Sequence, residues 1–392
     1  MVQDSEKIKP KGAWLNVNRR CNFRCKWCYG QGTDFDAEKE MTLPFATEMA
    51  ELLANAGVKK LIIIGGEPTL WEPLTEFNAI CHSLGLETTV VTNALRFSDD
   101  AFWEKYIKSP STVVNISLKA GSYEQLLEVA GVRCHESVEK ALRRTLEHFD
   151  TGVGITYNSF YVNNLTEMAE FAMKCGARFL KVDFCTPVFI EGEPSDTFVV
   201  EPHQTAANIV RDYPKLDEIT GGRLGFEMSV PLCLWPEGFI AELKAKGQIG
   251  SVCSVVKREG IVISHDGQLL MCNELFDFPM GRYGVDFQDG DSSIRLLNSE
   301  EISGYYNQIS RYPSNACQEC LWYADCGGGC PLRWAVYQPE QIVKPILEKG
   351  GKASEQIVTK AESSWLSSEP SSFGDYSPEP SPEMRQLLRW TM

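Results

Sequence analysis

Cysteines are the residues whose type and spacing point most directly to chemistry. The chain has 14 of them in 392 residues, and ten fall in three groups near Cys21, Cys253 and Cys317. The first group reads Cys21-Asn-Phe-Arg-Cys25-Lys-Trp-Cys28. Three thiolates this close select zinc or an iron–sulfur cluster, because soft sulfur ligands prefer those centres. A structural zinc site wants four ligands, usually as two close pairs. Here there are three, and the nearest histidine in sequence is His82. On a four-iron cube, three protein ligands leave one iron open. A structural zinc knuckle remains the alternative.

The residues between these groups must position them. Ala13–Asn18 reads as a strand leading into the cysteine loop, and Lys60–Ile64 as a buried, β-branched strand ending at Gly65-Gly66. Strand patterns recur at Glu87–Thr92, Val113–Leu118, Val153–Tyr157 and Phe179–Phe184. Helical spacing separates them at Leu43–Ala56, Leu74–Leu84, Asp99–Lys108, Glu136–Phe149 and Leu165–Cys175, with Thr42 as N-cap and Gly57 as stop for the first helix. Alternation of this kind predicts an α/β fold with a parallel sheet and helices outside it. Six units are fewer than the eight of a closed barrel, so the expectation is a partial (β/α)6 barrel with its chemistry at the strands' C-terminal ends.

At this point the motifs resemble a family. C-x3-C-x2-C after a first strand, with Trp27 before the last cysteine, is similar to the signature of the radical S-adenosylmethionine superfamily. Gly65-Gly66-Glu67-Pro68 sits directly after the second strand, where that family's second hallmark lies. The resemblance implies a [4Fe–4S] cluster on Cys21, Cys25 and Cys28, with the methionyl amine and carboxylate of S-adenosylmethionine on its open iron. It further implies that the 65–68 turn and Glu67 hold the methionyl amino group and that Trp27 packs near the adenine. Ser117, in Ser117-Leu118-Lys119-Ala120-Gly121, falls where many relatives have Ser-Leu-Asp-Gly, and is expected near the cofactor. Lys119 stands in place of the customary Asp, so that residue's role is not carried over. For Trp27 a simple cap on the barrel's apolar top is an equal alternative.

Downstream, Cys317, Cys320, Cys326 and Cys330 form C-x2-C-x5-C-x3-C, preceded by Cys253 and by Gly267–Cys272 as Gly-x4-Cys. Together these resemble the SPASM domain, a C-terminal extension carrying one or two auxiliary [4Fe–4S] clusters in radical enzymes that act mostly on peptides and proteins. By that resemblance, Cys233 would complete a first cluster with Cys253, Cys272 and Cys330. The second would take Cys317, Cys320 and Cys326 and lack its last cysteine, leaving an open iron or a carboxylate such as Asp375. A zinc ribbon shares some of these spacings. Cys81 and Cys175 read as core residues, Cys134 receives no role, and Cys185 ends the sixth strand on the catalytic rim. The expected domains are an extension (1–12), the barrel (13–225), the auxiliary-cluster region (226–345) and a tail (346–392) too poor in apolar residues to pack over Leu366–Pro382, with Met384–Trp390 as a short docking helix.

Composition narrows the partners. Net charge is −15, with 53 acidic against 38 basic residues, which disfavours a nucleic-acid partner. The longest apolar run, Leu61–Ile64, is far too short to span a membrane, and the N-terminus has no apolar signal segment, so the expected location is the cytoplasm. The family implies an electron donor such as flavodoxin or ferredoxin. The expected activity is carbon-radical modification of a ribosomally made peptide: a crosslink, thioether or epimerisation. The alternatives are a sulfatase-maturase-like dehydrogenase, an enzyme oxidising a small molecule, and a non-enzymatic iron–sulfur protein. Asn273 counts against the maturase, because that group has an Asp base directly after the Gly-x4-Cys cysteine. With the first strand near residue 13, the expectation is that a peptide leader binds another face or a separate protein, or that there is no leader.

Overall fold

The computed structural model describes residues 7–30, 38–149, 151–227, 229–250 and 252–344. Asp375, the Leu366–Pro382 tail and the Met384–Trp390 segment lie outside the described residues. Six parallel strands form where the alternation predicts them: β1 (Gly12–Asn16), β2 (Lys60–Ile64), β3 (Glu87–Thr92), β4 (Val113–Leu118), β5 (Val153–Tyr157) and β6 (Leu180–Phe184). Six more strands are short. β7 (Val188–Ile190) and β8 (Glu193–Ser195) make a separate hairpin, and β9 (Leu224–Phe226) adds in parallel to β6. On the far side of β1, β10 (Gly260–Ile263) pairs in parallel, followed by antiparallel β11 (Gln268–Leu270) and β12 (Gly281–Arg282).

The result is one ten-stranded sheet in the order β12-β11-β10-β1-β2-β3-β4-β5-β6-β9, an open relative of the barrel. The expected 225/226 boundary falls inside β9, and the cysteine-rich region feeds β10–β12 into the edge beside β1. The two parts of the chain therefore share a sheet, which fixes the second cysteine region relative to the first.

Helices cover the sheet for reasons visible in their residues. The helix Leu43–Asn55 starts where Thr42 accepts a hydrogen bond from the Phe45 N–H, and it buries Ala46, Met49, Ala50 and Leu53 at helical spacing. The helix Pro202–Thr220 runs through Pro214 and ends at Gly221, with φ 59°. A helix the periodicity did not single out, Tyr123–Ala130, is capped by Ser122 and ends at Gly131 with φ 69°. Its unpaired C-terminal carbonyls become anchors for the cysteine loop. Among the described residues, no helix is long and apolar enough to cross a membrane.

β2 lies inside the sheet, and Leu61 and Ile63 are fully buried. Ile63→Ala should lower unfolding free energy by about 2–5 kcal/mol, measured by denaturant titration. A loss well under 1 kcal/mol would mean that this strand is not part of the cooperative core.

Candidate active site and C-terminal cysteine centres

The loop after β1 has little regular structure of its own, so its shape comes from neighbours. Arg24 N–H donates to Ala130 O (3.0 Å) and Lys26 N–H to Val129 O (3.0 Å), using the spare carbonyls at the end of the Tyr123–Ala130 helix. Phe23 is 2% exposed and anchors the loop from below. Backbone amides already reach two sulfurs, Phe23 N–H to Cys21 Sγ (3.4 Å) and Gly30 N–H to Cys28 Sγ (3.3 Å). All three sulfur-bearing residues line one cavity of about 310 Å³ at the C-terminal ends of the strands.

Gly65 and Gly66 line the same cavity because the chain crosses itself there. A Cβ on Gly65 would lie 2.6 Å from Asn18 O, and one on Gly66 would lie 2.5 Å from Arg19 O. The backbones are joined by Gly66 N–H to Asn18 O (2.9 Å) and Glu67 N–H to Arg20 O (2.8 Å). Only glycine permits this approach, which sets the turn against the base of the cysteine loop. Pro68 then opens a single turn, Pro68–Leu70.

Glu67 does more within the protein than the sequence suggested. Its Oε1 accepts from Thr69 N–H (3.1 Å), Thr69 Oγ1 (2.6 Å) and Thr92 Oγ1 (2.6 Å), and its Oε2 from Asn93 N–H (2.8 Å). At 1% exposure it ties the end of β2 to the end of β3. Burial pushes its carboxyl above the usual range, against the pull of those hydrogen bonds. Glu67 lines the cavity as expected of a cofactor contact, but its Oε1 is already taken by the fold.

Trp27, 8% exposed, packs edge-on against Tyr161 (5.3 Å between ring centres) and tilted against Phe160 (6.1 Å) while lining the cavity. Both earlier readings of Trp27, a cofactor wall and an apolar cap, fit that position. Ser117 also lines it, and its Oγ accepts from Lys119 Nζ (2.6 Å). Burial pushes the Cys21 thiol up to about 12 and the Cys28 thiol up to about 11, and raises Cys25 as well. Three buried thiols become thiolates only with compensating positive charge, as bound iron would supply, so the donor set fits an iron–sulfur cluster with three protein ligands.

The seven C-terminal cysteines divide differently from the expected pairing. Cys253, Cys272 and Cys330 line an apolar cavity of about 60 Å³ with Met271, Leu275 and Phe278. Cys233, Cys317, Cys320 and Cys326 line another, of about 20 Å³. Cys233 thus sits with the second set, because the turn Leu232–Leu234 is pinned there by Leu232 N–H donating to Cys326 Sγ (3.4 Å). The expected ligand counts are inverted: the first set has three thiols and the second has four. Gly327, Gly328 and Gly329, all at φ between 57° and 80°, turn the chain so that Cys326 and Cys330 face separate cavities. Among the described residues, no group of three His, Cys, Asp or Glu closes on a single metal ion.

Cys81 and Cys175 are core residues, 0% and 5% exposed. Cys185 lines the 310 Å³ cavity with its thiol pushed up to about 12 by burial. Sequence reasoning missed Glu274. It lines the same cavity, two residues beyond Cys272, and its Oε2 is buried without a hydrogen-bond partner. Burial alone pushes this carboxyl up to about 8. The neighbouring Asn273 accepts at Oδ1 from Asn16 Nδ2 (3.2 Å) and holds the loop to the end of β1.

Residues 15–174 match the Radical SAM superfamily. The matched stretch carries the three-cysteine loop and the Gly65–Pro68 turn, so this part of the chain is similar to that superfamily, a likeness that implies a [4Fe–4S] cluster and S-adenosylmethionine. It is 29% identical over 159 residues to the GTP 3',8-cyclase of Haemophilus influenzae, covering 38% of this chain and 43% of that one. To the Fe-coproporphyrin III synthase of Methanosarcina barkeri it is 33% identical over 93 residues, 24% and 23% of the two chains. The chain spans about half the length of the curated cyclases it matches, or less. Among solved structures, Streptococcus suis SuiB bound to precursor peptide SuiA is similar with TM-score 0.62 at 17% identity, over 87% of this chain and 76% of that one. The anSMEcpe structure with bound AdoMet and Cp18Cys peptide is similar with TM-score 0.61 at 16% identity, over 91% and 96%. At such identities these likenesses concern the fold, and they extend through the cysteine-rich region.

Glu67→Gln places an N–H₂ where one oxygen now accepts, opposing a hydroxyl or the Asn93 N–H. Cluster-free protein should lose about 1–3 kcal/mol of unfolding free energy. Wild-type stability with weakened S-adenosylmethionine binding would instead make Glu67 chiefly a cofactor ligand.

Proposed function

We propose that this chain is a peptide-modifying radical enzyme. In this reading Cys21, Cys25 and Cys28 hold the catalytic [4Fe–4S] cluster, and Gly65, Gly66, Glu67, Pro68, Trp27 and Ser117 hold S-adenosylmethionine. Cys253, Cys272 and Cys330 hold one auxiliary cluster, and Cys233, Cys317, Cys320 and Cys326 hold the other. The observation that carries the proposal is the division of seven cysteines around two cavities, with the Cys272–Glu274 segment joining the first of them to the catalytic cavity. That arrangement suits electron passage between centres and a substrate lying between them.

Cys21, Cys25 and Cys28 would hold a [4Fe–4S] cluster, which would supply the electron for reductive cleavage of S-adenosylmethionine and so radical hydrogen abstraction from the substrate. The protein's own residues do the rest. The Gly65–Glu67 part of the turn faces the cavity to receive the methionyl end, and Trp27, Phe184 and Val188 give it apolar lining. Glu274 offers its unpaired carboxyl oxygen to an N–H or ammonium donor of the substrate. A peptide is favoured because the solved structures with this arrangement of both parts bind peptides. The product is a crosslink, thioether or epimerised residue, and a flavodoxin or ferredoxin supplies the electron. A second reading, a small-molecule substrate, draws on the GTP 3',8-cyclase relatives, whose similarity covers under half of this chain.

Anaerobically reconstituted protein should hold about 12 iron and as much sulfide per chain, the content of three four-iron clusters. Replacing Cys21, Cys25 and Cys28 together by Ala should abolish S-adenosylmethionine cleavage while leaving two clusters visible. Cys233→Ala and Cys253→Ala should each deplete a different auxiliary signal. If both deplete the same one, the division of ligands is wrong, and zinc without sulfide would overturn the auxiliary clusters altogether.

A further inference from the structure

We infer that Lys119 sets the reduction potential of the catalytic centre, raising it by placing a fixed positive charge beside the three-cysteine loop. This rests on the reading of Cys21, Cys25 and Cys28 as cluster ligands. Lys119 follows the end of β4 and lines the catalytic cavity with all three cysteines. Its position is held from two sides. The Lys119 carbonyl accepts from the Tyr161 hydroxyl, and its Nζ donates to Ser117 Oγ at 2.6 Å. Tyr161 is itself fully buried and packed against Trp27, so the lysine's backbone is fixed relative to the cysteine loop.

The charges around the cavity make this cation consequential. Among the described residues lining it, Lys119 is the one lysine or arginine. Three carboxylates share the wall. Glu67 accepts four hydrogen bonds from Thr69, Thr92 and Asn93, and Asp183 is paired with Lys181 at 3.1 Å. Glu274 has an unpartnered oxygen. Lys119 shares the cavity wall with Cys21, Cys25 and Cys28, so its charge faces the space that a cluster on them would occupy. A cluster on three thiolates is already anionic, and the electron it takes up makes it more so. A nearby cation in a low-dielectric site therefore stabilises the reduced form more than the oxidised one. The step is a one-electron reduction by an external donor, with no proton and no bond change required of the lysine.

The test needs neither substrate nor S-adenosylmethionine. The full chain is reconstituted anaerobically and titrated with dithionite-poised mediators while the reduced clusters are followed by electron paramagnetic resonance. The catalytic signal is the one absent from the Cys21/Cys25/Cys28→Ala protein. In Lys119→Met, the reduced-to-oxidised ratio of that signal at the wild-type midpoint should fall about tenfold, which for one electron is about 59 mV. Lys119→Arg should stay within about twofold of wild type, and the auxiliary signals should not move. Lys119→Gln replaces the Met variant if that one assembles no catalytic cluster. A neutral variant that titrates with wild type, or an Arg variant that shifts as far as Met, overturns the inference. Absence of the catalytic signal from the wild-type protein itself would instead overturn the cluster assignment on which it rests.

Discussion

The contact between the Gly65-Gly66 turn and the backbone of Asn18–Arg20 is the constraint on which the site depends. It brings the ends of β1 and β2 together without room for a side chain between them. Both halves of the candidate site hang from this crossing. The cysteine loop leaves it on one side and Glu67 on the other, and Glu67 in turn locks Thr92 and Asn93 at the end of β3. Asn18 reinforces the junction, with Nδ2 donating to Glu67 O (3.0 Å) and Oδ1 accepting from Gly66 N–H (3.2 Å). Three strand ends are thereby held as a rigid rim. A pre-organised rim matters because the ligands of a cluster and the turn facing it must be placed before the reaction begins.

The second organising fact is the shared sheet. β10 lies parallel to β1, so the cysteine-rich region enters the fold as an extension of the strand that launches the catalytic loop. Arg333 adds a buried tie, with Nε donating to Ser229 O and Nη2 to Cys185 O, both at 2.9 Å. Cys185 in turn lines the catalytic cavity, and Cys330 lies near the same guanidinium. One fully buried side chain thus lies between Cys330 and the wall of the 310 Å³ cavity. An enzyme that passes electrons between centres benefits from fixed separations, and a sheet provides them more rigidly than a linker between independent domains.

Much of this was legible in the residues. The six long strands and the order of motifs after β1 and β2 follow from alternation and from β-branched runs, because those signals are local. β9 and β10 were missed: at three and four residues they carry too little periodicity, and only pairing with β6 and β1 makes them strands. The ligand partition was misread for a related reason. The resemblance grouped Cys233 with Cys253, Cys272 and Cys330, whereas it lines a cavity with Cys317, Cys320 and Cys326, far from it in sequence. What decides its partners is the three-glycine reversal after Cys326 and the amide of Leu232, which are tertiary facts. Glu274 escaped notice because a carboxylate two residues from a cysteine is unremarkable until its surroundings are known to be buried.

The account's central claim is that a single cavity binds S-adenosylmethionine against the Cys21–Cys28 loop while the two other cysteine sets stand apart from it. Adding S-adenosylmethionine to the reduced, anaerobic protein and recording the electron paramagnetic resonance spectrum tests this most directly. The account predicts that one cluster signal shifts, that the auxiliary signals keep their positions, and that the shift is absent when Cys21, Cys25 and Cys28 are replaced. A spectrum indifferent to S-adenosylmethionine, or a shift that survives the loss of those three cysteines, would contradict it.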